Sequence, residues 1–206
     1  HNDYFLFVNI VIDQVNLDAF ETYLLHGVTG SGKTEVYLQL ASKVLKDNKQ
    51  VLILVPEIAL TPQMIHRVSS RFGTDVAIYH SGLNDQEKYE QYMRVKERSV
   101  NIVVGTRSAI FMPFQDLGLV VMDEEHDTSY KQDHTPFYHT RDVAIYRCEK
   151  NGCPLILGSA SPSLESYARA LRKNYTLLEL NDRINLQFPL VTLIDTRDAL
   201  KKRQSA

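Results

Sequence analysis

Residues 27–34 read Gly27-Val28-Thr29-Gly30-Ser31-Gly32-Lys33-Thr34, the complete G-x-x-x-x-G-K-[ST] spacing of a phosphate-binding loop. Gly30 and Gly32 let the backbone curl so that successive N–H groups point inward. A helix opening after them presents its positive dipole end to an anion. Lys33 is spaced to reach the β- and γ-phosphates of a nucleoside triphosphate, and the Thr34 hydroxyl to ligate Mg²⁺. A second cluster, Asp123-Glu124-Glu125-His126, follows an apolar run. Asp123 is suited to hold Mg²⁺ opposite Thr34 through water, because that ion keeps much of its hydration. Glu124 is suited to orient, or take a proton from, an attacking water. Adjacent carboxylates on a loop are commonly just solvated. Behind Leu119-Val120-Val121-Met122, in a chain with an intact phosphate loop, the metal site is the better reading, since a cation makes crowded carboxylates tolerable.

Other segments offer contacts rather than reaction chemistry. Pro56, Glu57, Thr61 and Gln63 lie just past a strand-like run, where exposed N–H and hydroxyl groups can grip the phosphates of a nucleic-acid strand. A plain capped turn explains them equally well. Thr106, Arg107 and Ser108 follow Gly105 and bring one cation between two hydroxyls, a set suited to backbone phosphate rather than base reading. From Ser129 to His139 a polar loop carries Tyr130, Lys131, Phe137 and Tyr138. Such aromatics either stack single-stranded bases, at ~1–3 kcal/mol each, or fill a small satellite core. Ser159 and Ser161, with Glu125 and His126, can link the terminal phosphate to the nucleic-acid side.

These residues need a scaffold, and the chain alternates strand-like runs with helical stripes in the manner of a parallel sheet covered on both faces. Strands are expected at Thr22–His26, Val51–Val55, Val76–Tyr79, Asn101–Val104, Leu117–Met122, Leu155–Leu157, Leu177–Leu180 and Val191–Ile194. Helices are expected at Thr34–Leu45, at Thr61–Phe72 with Thr61 as N-cap and Pro62 in the first turn, at Asn84–Arg98, at Thr140–Lys150, and from Ser161-Pro162 to Leu171. The phosphate loop thus sits between a strand and a helix, as its mechanism requires. The fold class is α/β, a doubly wound and mostly parallel sheet.

Length and composition set outer bounds. With 206 residues, 44% of them hydrophobic, the chain can bury one sizeable core. No apolar run spans a bilayer, and the apolar-rich start lacks a basic n-region and cleavage site, so a cytoplasmic protein with no membrane partner is expected. Cys148 and Cys153 read as incidental reduced thiols. A net charge of −2 confines any nucleic-acid binding to a local surface.

Together the segments resemble a known family. Residues 27–37 look like motif I, and 123–126 like motif II, of the primosomal replication-restart DNA helicases of superfamily 2. Residues 54–63 resemble motif Ia, 105–109 motif Ib and 158–166 motif III. Ser129–Gln132 with Tyr138–Asp142 resemble the family's aromatic-rich loop. The likeness runs from about Leu24 to Arg197, with Ser161 where relatives commonly have threonine. A glutamine segment that reads adenine is matched only by Gln14 in residues 1–20. The resemblance implies a RecA-like P-loop NTPase lobe over residues 21–200, followed by a cut tail at 201–206. It implies ATP and Mg²⁺ as cofactors, with zinc held elsewhere in the full-length protein. It also implies forked or single-stranded DNA, a second helicase lobe, primosome proteins and single-strand-binding proteins as partners. Another superfamily 2 translocase and a docking lobe without chemistry are the alternatives.

Overall fold

The computed structural model describes residues 2–73 and 76–180. Seven parallel strands form one sheet in the order β3-β4-β2-β5-β8-β1-β9. They are β1 (Thr22–Gly27), β2 (Gln50–Leu54), β3 (Val76–Tyr79), β4 (Ile102–Gly105), β5 (Leu117–Met122), β8 (Leu155–Ser159) and β9 (Thr176–Leu180). Strands β6 (Lys131–Gln132) and β7 (Tyr138–His139) pair apart as a small antiparallel ribbon. The expected strand at Val191–Ile194 and the tail lie outside the described residues.

Alternation along the central strands divides the core in two. Val51, Ile53, Val104, Leu119, Val121 and Ile156 face one side, against α1 (Asn2–Asp13), α2 (Lys33–Lys46) and α3 (Pro62–Phe72). Leu52, Leu54, Val103, Val120, Met122, Leu155 and Leu157 face the other, with α4 (Asp85–Lys96), α5 (Thr140–Asn151) and α6 (Leu164–Leu171). Both faces being covered explains why β2 and β5 are buried at every position and read as apolar runs, broken only by Gln50 at the start of β2.

Two local expectations change. Helix α1 was not foreseen in the apolar-rich start, yet Val8, Val11, Ile12 and, just past the helix end, Val15 recur at i, i+3, i+4 and i+7, and all four are buried against the core. Helix α6 is not opened by Ser161-Pro162. It starts at Leu164, because Ser163 is the N-cap, its hydroxyl accepting from the Ser166 N–H at 3.2 Å. Thr61 does cap α3, accepting from the Met64 N–H at 3.2 Å. Helix α4 carries a capping box, with Asn84 and Glu87 each receiving the other's backbone N–H. Among the described residues no helix is long and apolar enough to cross a membrane.

Candidate functional site

The carboxyl ends of β4, β2, β5, β8 and β1 lie side by side along one edge of the sheet, and each runs into one of the segments singled out above. The phosphate loop leaves β1 and enters α2. Gly30 and Gly32 take left-handed backbone, φ 80° and 100°, which glycine adopts without strain. Lys33 is buried, and its Nζ donates to the Gly27 carbonyl at 2.7 Å while lying 3.9 Å from Glu124 Oε1. The Ser31 hydroxyl is buried without a partner among the described residues. A loop whose cation points back across it, and whose buried hydroxyl lacks an acceptor or donor, fits an incoming phosphate.

Motif II residues are fixed from several directions. The Asp123 N–H donates to the Leu54 carbonyl at 2.9 Å, tying the end of β5 to β2. Asp123 Oδ1 accepts from the Tyr37 hydroxyl at 2.8 Å, and the Tyr130 hydroxyl donates to the Asp123 carbonyl at 2.6 Å. Burial pushes the Asp123 carboxyl above its ordinary range, and the Tyr37 bond only partly opposes this. A bound cation reverses that penalty. Tyr37, raised well above 10 by burial and then by Asp123, stays a donor. Glu124 has φ 46°, a left-handed conformation that costs a non-glycine residue ~1–3 kcal/mol and that places its carboxylate between Lys33 and His126. His126 Nδ1 is 3.6 Å from Glu124 Oε2 and 2.7 Å from the Ser159 hydroxyl. That hydroxyl also accepts the Ser161 N–H at 3.0 Å. Ser159 is therefore the hub, while Ser161 contributes backbone and its side chain is exposed.

Glu125 turns the other way, into the protein. It accepts from the Ser163 N–H (2.7 Å), the Ser163 hydroxyl (3.2 Å) and the Ser166 hydroxyl (2.8 Å), with Arg141 Nη1 at 3.9 Å. Arg141 itself is pinned by Glu165 at 2.5 Å. Ser163, Ser166 and Arg141 were missed as members of this network. The repeated serines of residues 159–166 were the available signal.

One cavity of about 750 Å³ gathers Thr29, Gly30, Gly32, Lys33, Thr34, Asp123 and Glu124. Val28 is half-buried in the loop, its carbonyl accepting the Ser31 N–H at 3.0 Å. No dedicated metal cage of three or more acidic, histidine or cysteine residues exists among the described residues. Mg²⁺ needs none, since one or two protein oxygens, phosphates and water complete its shell, so Thr34 and Asp123 fit it. Three further side chains, Arg67, Ser70 and Arg71 of α3, line the same cavity and were not foreseen.

The nucleic-acid candidates fall into two groups. Glu57, Thr106, Arg107 and Ser108 share a second hollow of about 240 Å³ with Lys88 and Gln132. Gln63 is exposed, Pro56 is buried, Glu57 accepts from the Ser81 hydroxyl at 2.7 Å, and Thr61 is occupied as a helix cap. Arg107 is no free surface cation. Its guanidinium donates to the Lys131 carbonyl at 2.9 Å and to the Ser129 carbonyl at 3.4 Å, lashing the aromatic loop to the end of β4. Tyr130 must be corrected: it is fully buried beneath Asp123, in the main core on the α5 face of the sheet rather than in a satellite core, so it offers no face to a base. Tyr138 is half-buried edge-on to Phe111 at 5.2 Å, Lys131 pairs with Asp133 at 2.9 Å, and Phe137 is the exposed ring of the loop. Gln14 donates to the Ile10 carbonyl on α1.

Comparison with known proteins bears on this arrangement. A family model described as DEAD/DEAH box helicase matches residues 10–170. The replication restart protein PriA of Bacillus subtilis is 52% identical over 190 residues, covering 92% of this chain and 24% of its own length. That of Synechocystis is 50% identical, covering 90% and 23%. The chain spans about a quarter of these relatives. Among solved structures, RecG bound to a three-way DNA junction superposes with a TM-score of 0.66 at 20% identity, over 97% of this chain and 27% of that one. The Hef helicase domain of Pyrococcus furiosus gives 0.60 at 19%, over 85% and 37%. At such identities these two speak to fold alone.

Proposed function

Because the chain belongs to the DEAD/DEAH box helicase family, we propose that it is the ATP-binding motor lobe of a replication-restart DNA helicase, in which ATP hydrolysis drives translocation along DNA. The observation that carries this is the meeting of Lys33, Thr34, Asp123 and Glu124 in one cavity, reached from strands that are not neighbours. Lys33 and the loop N–H groups bind the phosphates, and Thr34 with Asp123 holds Mg²⁺, which when bound neutralises charge on the phosphoryl being transferred. Glu124 orients the attacking water. His126 and Ser159 join that carboxylate to the segment beyond β8, so that occupancy of the pocket is felt next to the nucleic-acid edge.

Forked or single-stranded DNA, primosome proteins and single-strand-binding proteins are its proposed partners, in the cytoplasm, on the strength of the same resemblance. The charge on the transferring phosphoryl is normally also met by an arginine from an opposing lobe, worth 10³- to 10⁵-fold in rate. These 206 residues alone therefore bind nucleotide weakly and turn it over slowly. A steady-state ATPase assay with and without single-stranded DNA tests this. The expected result is slow turnover, abolished in K33A and barely stimulated by DNA; fast DNA-stimulated turnover would sink the proposal.

A further inference from the structure

The nucleotide cavity has a wall that neither the phosphate loop nor motif II supplies. Helix α3 lines it with Arg67, Ser70 and Arg71, residues three and four apart and hence on one face. Arg71 Nη1 lies 2.8 Å from Oε1 of Glu35, the residue that follows Thr34, and Glu35 is steadied by Gln39 Nε2 at 2.9 Å. Arg67 has no carboxylate partner among the described residues. The cavity so collects three cations, Lys33, Arg67 and Arg71, beside three carboxylates, Glu35, Asp123 and Glu124. Committing Lys33 to phosphate, Asp123 to a metal and Glu124 to water leaves two guanidiniums beside one carboxylate, Glu35, a surplus of one positive charge. Guanidinium is the side chain best matched to phosphate, which it binds through two parallel N–H donors. Helix α3 is also lightly anchored, with Val68 its one fully buried residue.

We propose that Arg67 and Arg71 grip the terminal phosphate of a bound nucleoside triphosphate, and that Glu35 holds Arg71 until the triphosphate competes for it. This rests on the nucleotide reading of the pocket. The γ-phosphate is the target because the arginines share their cavity with Asp123 and Glu124, the groups assigned to the metal and to the attacking water at that end of the tail. A diphosphate lacks the group they are placed to hold. Helix α3 is capped by Thr61, at the loop proposed to touch nucleic acid, so the helix that senses the third phosphate also frames that loop.

Isothermal titration of the 206-residue chain with Mg²⁺ and either AMP-PNP or ADP tests the assignment. R67A and R71A are each expected to weaken AMP-PNP by about tenfold, the loss of one charge-assisted contact, and ADP by no more than about twofold. E35Q is expected to tighten AMP-PNP by about two- to fivefold, since Arg71 no longer has to leave a carboxylate. K33A separates the two levels of argument. If K33A leaves AMP-PNP binding intact, the nucleotide reading itself fails. If K33A abolishes binding while R67A and R71A keep the wild-type ratio of AMP-PNP to ADP affinity, the assignment of α3 alone is overturned. Weaker binding by E35Q overturns the role given to Glu35. Thermal melts check folding, and R71K, which keeps the charge but loses the fork, must bind AMP-PNP less tightly than wild type for the proposal to stand.

Discussion

A single missing methyl group makes room for the anchor of Asp123. A Cβ built on Gly158 would lie 1.6 Å from the Tyr37 hydroxyl, 2.8 Å from its Cζ and 3.3 Å from Asp123 Oδ1. The glycine of motif III is therefore what lets a tyrosine of α2 reach across β8 to the carboxylate of motif II. G158A is expected to lose about 1–3 kcal/mol of stability through overpacking. Y37F deletes the clashing atom, so adding G158A to Y37F should cost less than adding it to wild type. Guanidinium unfolding midpoints of the four proteins measure this coupling. An equal cost in both backgrounds would mean that the hydroxyl is not the obstacle. Glu125 shows why some of the site escapes reading. Its neighbours Asp123 and Glu124 are only partly buried and open to the cavity, whereas Glu125 is 2% exposed and serves the protein interior. Nothing in three consecutive acidic residues says which one turns inward; that depends on the left-handed turn at Glu124.

Helix α5 links the aromatic loop to motif II, and its first turn is built on a titratable cap. The His139 Nδ1 accepts from the Arg141 N–H at 3.1 Å, an interaction open only to the neutral ring. Burial, and then the charge of Arg141, hold this imidazole below its ordinary value of 6.5. On acidification the unfolded chain therefore takes up the proton first. Stability is full above pH 6.5 and falls as pH drops from there through the lower folded value. Loss of a cap costs about 1 kcal/mol. Thermal melts between pH 7.5 and 5.5 should show that step, and H139N, which caps without titrating, should flatten it. A second loss at more acid pH belongs to Glu165, which Arg141 holds below 4.5 and whose contribution disappears as pH falls through that lowered value. At this scale the sequence was most readable where periodicity and caps agree, as for Thr61 and α3 or the apolar run of β5. It was least readable where tertiary contacts decide. The Ser161-Pro162 pair looks like a helix start, but Ser163 is the residue in position to serve both α6 and Glu125. The stripe of α1 was legible at Val8, Val11, Ile12 and Val15, yet only α2 and β9 reveal what it packs against.

Across the whole molecule the labour is divided between a buried slab and one rim. Apart from Gln50 and Ser159, the side chains of β2, β4, β5 and β8 are apolar and enclosed, while every segment assigned to phosphate, metal or nucleic acid emerges at the carboxyl ends of these strands and of β1, or in the loops and short elements beyond. L52A, deep in the slab, is expected to lower unfolding free energy by about 2–5 kcal/mol. It should leave AMP-PNP affinity within about twofold, a separation that calorimetry and denaturant titration of one preparation can check. The placement of β8 between β1 and β5 gives this rim a lineage-level consequence. Adjacent loops touch one another through hydrogen bonds such as His126 to Ser159 and Ser163 to Glu125, so substitutions in neighbouring loops must be epistatic and drift as linked sets. Substitutions deep in the slab, such as at Leu52, away from Gly158 and the strand ends, should combine additively with them. A descendant can therefore change its interior residue by residue, but it inherits its rim as a block.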